Sequence, residues 1–116
     1  MIHGIGTDII EVERIEKAIK RWGKDFLKHV FTDKEMAYAK TRKFPMQHYA
    51  ARFAAKEAVF KAIGNDPTIT WLDIEILNDK FGKPVCQFKR KKFKNKIFVS
   101  LSHTKNYAVA NAIVAS

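Results

Sequence analysis

The stretch Met46-Gln47-His48-Tyr49-Ala50-Ala51-Arg52-Phe53-Ala54-Ala55-Lys56-Glu57-Ala58-Val59-Phe60-Lys61-Ala62-Ile63-Gly64 decides the fold. Its residues are mostly strong helix formers. Gly64 stands where a left-handed stop is expected, and Pro67 follows shortly after. The spacing therefore predicts a long helix over residues 46–63. Six alanines, at 50, 51, 54, 55, 58 and 62, give it a thin surface that lets backbone or ligand approach closely. After residue 67 the apolar period changes from 3.6 to 2. Trp71, Ile74 and Ile76 precede the turn residues Asn78–Pro84 and then Val85–Phe88, so residues 70–88 read as a hairpin. Ile97, Val99 and Leu101 alternate with Phe98, Ser100 and Ser102. A polar turn over 103–106 then leads into 107–114, a second hairpin.

The first half is helical. Residues 2–7 read as a short strand, after which Asp8-x-x-Glu11 resembles a capping box and is expected to open a helix. At about 100° per residue, Val12, Ile15, Ala18, Ile19, Trp22 and Phe26 share one arc of that helix. Arg14, Lys17, Arg21 and Lys24 share another, so one face suits a core and the other is strongly basic. A second capping box, Thr32-Asp33-Lys34-Glu35, starts a short helix that ends before Pro45. The expected architecture is α+β: a small antiparallel sheet, to which the N-terminal strand is available, packed against a long helix.

Composition narrows the classes. With 116 residues, 47% of them apolar and no repeat or linker, the chain reads as a single domain over 1–116. Five glycines and three prolines are too few for a low-complexity or collagen-like chain. No window is apolar enough to span a bilayer, and the opening segment meets Asp8 too soon for a signal peptide, so a cytoplasmic protein is expected, with no membrane partner. The single cysteine, Cys86, forms no intramolecular disulfide and no paired-cysteine zinc site. Twenty-two Lys and Arg against twelve Asp and Glu give a net charge of +10, a surface that seeks anions.

Three constellations carry chemistry. Asp8 follows two glycines at the end of a strand; it reads either as a helix cap or as a carboxylate able to hold a hard cation. Glu57 and Lys61 are i,i+4 neighbours on the long helix, an ordinary surface ion pair or part of a site for a metal-bridged diphosphate. Mg²⁺ needs one or two carboxylates and completes its shell with phosphate oxygens and water, so Asp8 and Glu57 suffice. The segment Ser100-Leu101-Ser102-His103-Thr104-Lys105 gathers hydroxyls, an imidazole and an ammonium within one turn, a cradle for a phosphate monoester. A nucleophilic Ser–His pair is rejected there, because nearest neighbours on a strand point to opposite faces. The basic run Lys89–Lys96 holds six cations in eight residues and has room for a short helical turn. It lacks evenly placed stacking aromatics, so no nucleic-acid partner is expected.

Taken together, Ile5-Gly6-Thr7-Asp8-Ile9, the run Arg52–Ala58 with Lys61 following, Gly82-Lys83-Pro84, and Ser100-Leu101-Ser102-His103-Thr104 closely resemble the holo-acyl carrier protein synthase family. These are short, single-domain 4'-phosphopantetheinyl transferases, and the resemblance runs from Met1 almost to the C-terminus. It implies a transferase that moves the 4'-phosphopantetheine arm of coenzyme A to a serine hydroxyl of apo-acyl carrier protein, for fatty acid synthesis, releasing adenosine 3',5'-bisphosphate. By the same resemblance Asp8 and Glu57 are the Mg²⁺ ligands and Lys61 neutralises the phosphates. Arg52, Ser102, His103, Thr104 and the Gly82-Lys83-Pro84 turn would lie near the nucleotide. The resemblance further implies a homotrimer with sites between subunits, Asp8 coming from one chain and Glu57 from its neighbour. The basic stripe Arg14, Lys17, Arg21 and Lys24 would dock the acidic carrier. The sequence departs from the family pattern at Gly64-Asn65-Asp66-Pro67, where many relatives have a glycine-rich turn.

Overall fold

A computed structural model describes residues 1–64 and 66–116. Its organising contact is between one strand and one helix. Strand β1 (Ile2–Glu11) pairs antiparallel with β5 (Tyr107–Ala115), which pairs antiparallel with β4 (Lys96–His103), giving the order β1-β5-β4. Helix α4 (Pro45–Ile63) lies against the sheet, with Pro45 at its first turn and Gly64, at φ 105°, closing it. Its alanines make the interface. Ala50, Ala51, Ala54, Ala55, Ala58 and Ala62 are all buried, against Ala108, Ala110, Ala112 and Val114 of β5.

Gly4 and Gly6 set how close the helix comes. A Cβ on Gly6 would stand 1.8 Å from the backbone oxygen of Ala58, and one on Gly4 equally close to that of Ala62. Neither obstacle is a movable side chain. We therefore expect Gly6→Ala to destabilise the fold by on the order of 3 kcal/mol, because the helix must lift off the strand. A shift of the urea midpoint at constant slope measures this, and an unchanged midpoint would contradict it.

The strand expectation needs correction at its end. β1 does not stop at residue 7: Asp8 pairs with Ala110, Ile9 with Val109 and Glu11 with Tyr107, so Asp8 sits inside a ladder and caps no helix. Cross-strand pairing overrides the local Asp-x-x-Glu spacing. Helix α1 (Val12–Trp22) starts four residues later, with Glu11 as an N-cap that makes no side-chain capping bond. Val12 and Ile15 are buried as expected, but Gly23 at φ 56° ends the helix, and Trp22 is left 56% exposed. A separate helix α2 (Lys24–Val30) follows, so the basic stripe spans two helices.

The second capping box is present as read. Thr32 caps helix α3 (Asp33–Lys40), its Oγ1 accepting from the Glu35 N–H while a Glu35 oxygen accepts from the Thr32 N–H. The same carboxylate reaches further. Its Oε2 accepts from the Ile76 N–H on strand β2 (Ile74–Asn78), and its Oε1 lies 2.7 Å from the Lys56 ammonium, with both side chains fully buried. Lys56 also donates to the carbonyls of Val30 and Trp71. One buried ion pair thus ties α2, α3, α4 and β2 together. Burial pulls the Lys56 pKa down, against the opposing pull of Glu35. Burial likewise pushes the Cys86 thiol up to about 12, so it stays protonated.

Strand β3 (Pro84–Phe88) completes the β2–β3 hairpin. Between β3 and β4, residues 89–95 form only a turn, closed by the Phe93 N–H on the Arg90 carbonyl, and no helix, and Lys96 begins β4.

Candidate active site

The alternation of β1 puts Gly4, Gly6 and Asp8 on the face that meets α4. Where the glycines let the helix come close, the next residue of that face is a carboxylate. Lys61, one turn beyond Glu57, donates to the Thr7 carbonyl at 2.9 Å and to Asp8 Oδ1 at 3.4 Å. Glu57 is partly buried beside them. Its pKa is raised, first by desolvation and then by the Asp8 charge, with Lys61 opposing. One strand and one helix of a single chain therefore bring Asp8, Glu57 and Lys61 together. This corrects the expected division of Asp8 and Glu57 between neighbouring chains: the close β1–α4 contact already joins them.

The two carboxylates fit a hard divalent ion. Burial first and the Asp8 charge second disfavour ionised Glu57, and a cation held by the two carboxylates would offset both. Among the described residues no group of three His, Cys, Asp or Glu converges as a closed metal site. Two protein carboxylates are the number Mg²⁺ takes when phosphate supplies the other oxygens.

A second cluster lies where the N-terminal half of α4 meets the turn of the β2–β3 hairpin. Arg52 is buried on α4; its Nε donates to the Ile76 carbonyl and a terminal nitrogen donates to Asn78 Oδ1 at 2.5 Å. Asn78 in turn donates to the Gly82 carbonyl, so Arg52 is coupled through one amide to the Gly82-Lys83-Pro84 turn. That turn needs glycine, since Gly82 has φ 84°, and Asp79 Oδ1 braces it by accepting from the N–H groups of Phe81 and Lys83. Arg52, Asn78, Gly82, Pro84 and His103 line one concavity of about 140 Å³, together with His48. His103 Nδ1 lies 3.0 Å from Gln47 Oε1, and its ring meets that of His48 edge-on. Burial lowers the His48 pKa to about 4, with the His103, Arg52 and Arg42 charges adding to the effect, so His48 is neutral at pH 7.

Three of the residues expected at the nucleotide, Ser102, Thr104 and Lys83, do not line this pocket. Ser102 pairs with Val109 on the sheet face turned away from α4, because alternation puts it opposite His103. Thr104 shapes the β4–β5 turn, its Oγ1 accepting from the N–H groups of Asn106 and Tyr107. Lys83 is exposed at the hairpin tip. Sequence reasoning missed Tyr38, Gln47, His48 and Asn78. Tyr38 carries the Arg52 and Arg42 guanidinium groups against its ring at 4.2 and 4.5 Å. The only local signal for these partners was their spacing before Arg52 and before Gly82. Of the divergent turn after α4, Asn65 lies outside the described residues, while the Asp66 carboxylate accepts from the Thr68 N–H and hydroxyl.

Comparison with known proteins shows the family. Residues 4–112 match the model of the 4'-phosphopantetheinyl transferase superfamily. A holo-[acyl-carrier-protein] synthase of Protochlamydia amoebophila is 48% identical over the whole of both chains, and one of Thermodesulfovibrio yellowstonii is 46% identical over 98% of this chain and 99% of the other. The crystal structure of a holo-(acyl-carrier-protein) synthase from Bacillus anthracis in complex with CoA (3',5'-ADP) superposes with a TM-score of 0.86 at 39% identity, covering 100% of this chain and 98% of that one. The Helicobacter pylori synthase in complex with coenzyme A gives 0.85 at 31%, covering 96% and 99%. The family-model match, full-length relatives at this identity and the shared fold agree, and the chain belongs to the 4'-phosphopantetheinyl transferase superfamily, in its holo-[acyl-carrier-protein] synthase family.

Proposed function

We propose that this chain transfers the 4'-phosphopantetheine group of coenzyme A to a serine hydroxyl of apo-acyl carrier protein, in a Mg²⁺-dependent reaction. The observation that carries the reading is the meeting of Asp8, Glu57 and Lys61 across the β1–α4 contact. In the reaction a bond forms between the serine oxygen and the pantetheine-side phosphorus. The bond from that phosphorus to the bridging oxygen breaks, and adenosine 3',5'-bisphosphate leaves. The difficulty is attack by a neutral hydroxyl on phosphorus surrounded by negative oxygens.

Lys61 supplies positive charge to the diphosphate; its present bonds to Thr7 and Asp8 hold the ammonium at the site. Glu57, or a water that it orients, accepts the serine proton; the carboxylate is a stronger base in the free protein, where burial and the Asp8 charge raise its pKa, than it would be with a cation bound. Mg²⁺ held by Asp8 and Glu57 would supply Lewis acidity toward the diphosphate oxygens. Arg52 and His103 bind the nucleotide end, in the pocket that Gly82 and Pro84 also line.

The acidic cluster and the basic pocket share no lining residue within one chain. A homotrimer in which the acidic cluster of one copy faces the basic pocket of the next would let one coenzyme A span both. The sheet face turned away from α4 supports assembly. Ile5, Ile113 and Phe98 form one cross-strand row on it and Ile9 begins another; Ile5 is 68% and Ile9 65% exposed in the single chain. Such a contiguous apolar patch marks an interface.

The carrier docks on Arg14, Lys17, Arg21 and Lys24, all exposed. Lys17 is partly offset by Glu13 at 3.1 Å, which leaves Arg14 and Arg21 as the stronger contributors. Arg14→Glu with Arg21→Glu is expected to raise KM for the carrier by about tenfold or more and leave KM for coenzyme A within about twofold. Equal effects on both would remove the docking role. The reaction itself is tested by incubating the protein with coenzyme A, Mg²⁺ and apo-acyl carrier protein and weighing the carrier. A gain of one phosphopantetheine arm is expected, and an unchanged mass would overturn the reading.

A further inference from the structure

The basic run between β3 and β4 takes no part in the chemistry above, yet it borders a cavity of about 390 Å³. The walls are Ile63 at the end of α4, Ile69, and the edge-to-face pair Phe88 and Phe93, whose ring centroids are 4.7 Å apart. All four are only partly buried, so they present apolar surface to whatever fills the space. The volume falls within the usual range of small-molecule sites.

Charge at the mouth is mostly positive, with Arg90, Lys91 and Lys92 against the single carboxylate of Asp66. Arg90 is held in place: its Nε donates to Asp73 Oδ2 at 3.0 Å and its other nitrogens donate to the carbonyl and hydroxyl of Thr68. Asp73 offsets its charge, so Arg90 acts as wall. Lys91 and Lys92 differ. Both are exposed, and neither has a carboxylate within ion-pair distance among the described residues. The one acid at the rim, Asp66, is turned onto Thr68. An apolar slot with two free ammonium groups at its mouth matches a ligand with an apolar tail and one anionic head.

We propose that this slot binds a free medium-chain fatty carboxylate, with its tail between Phe88, Phe93, Ile63 and Ile69 and its head at Lys91 and Lys92. The rim cations select the free acid over a thioester-linked acyl chain, which carries no charge at that end of the tail. The site is separate from the residues assigned to phosphopantetheine transfer, so its occupancy is measurable whether or not that reaction occurs.

Decanoate titrated into the protein should give saturable calorimetric binding, with NMR shifts concentrated at Ile63, Ile69, Phe88 and Phe93. Decanol should bind about tenfold more weakly, because it offers no charge to the lysines. Lys91→Glu with Lys92→Glu should weaken decanoate by about tenfold or more and leave decanol nearly unchanged. These exposed positions can be reversed without disturbing the core, and an unchanged far-UV spectrum checks that they do not. Added salt should weaken decanoate more than decanol. The proposal is overturned by the absence of saturable binding, by equal affinity for decanol, by retained affinity in the double variant, or by shifts confined to the Ile5 and Phe98 face.

Discussion

Lys56→Met is expected to lower stability by about 3–5 kcal/mol, which for a domain of this size removes a large part of the whole. The substitution keeps a long apolar side chain but strips away the cation facing Glu35, whose carboxylate has no access to water. It also leaves the carbonyls of Val30 and Trp71 without their donor. Glu35 cannot simply turn outward, because its two oxygens hold the Thr32 and Ile76 N–H groups. Glu35→Gln on the Lys56→Met background removes the stranded charge and is expected to recover part of the loss. Glu35→Gln alone should be destabilising, since it leaves the ammonium unpaired. Urea unfolding of the two single variants and the double variant closes the cycle; a coupling energy near zero would show that the pair acts only as volume.

The same pair marks where sequence reading stops. Thr32-Asp33-Lys34-Glu35 is a local signal, and the helix it starts is where the spacing put it. Nothing within four residues says that Glu35 also bonds to β2 and to Lys56, since both partners arrive only when the hairpin and α4 close over it. Helix α4 is legible within one residue, its reading starting at Met46 where the helix begins at Pro45, because strong helix formers and the Gly64 stop act locally. Asp8 was misread for the opposite reason: a local Asp-x-x-Glu pattern competed with a ladder to Ala110, at the far end of the chain, and the ladder prevailed.

The site shows the same division. Glu57 and Lys61 follow from helical spacing, and the meeting with Asp8 depends on two glycines whose importance shows only when Ala58 and Ala62 stand over them. Arg52 was singled out by family resemblance, while its coupling to the Gly82 turn runs through Asn78, which the motif does not contain. Ser102 illustrates the limit of a linear motif on a strand: adjacent to His103 in sequence, it points to the other face of the sheet.

Glu57→Gln is expected to reduce turnover by about 10²–10³-fold or more and at the same time to raise the melting temperature of the free protein at pH 7. The first effect follows from losing a Mg²⁺ ligand and the proposed base. The second follows from linkage. Burial and the Asp8 charge raise the Glu57 pKa in the folded chain, so between the unfolded value and that raised value the native state binds more protons than the unfolded one. Stability is then fully present at pH below the unfolded carboxylate value and falls as pH rises through the folded pKa. The neutral amide of the variant imitates the protonated carboxyl at every pH, so the variant should gain at neutral pH and match the parent in acid. Mg²⁺ with coenzyme A should reverse the order, stabilising the parent by binding between the two carboxylates while leaving the variant nearly unmoved. Thermal scans at pH 4 and pH 7, with and without Mg²⁺ and coenzyme A, read all of these effects. A variant that is less stable than the parent at pH 7 without ligands, or that keeps its turnover, would show that Glu57 is not the strained carboxylate on which the site depends.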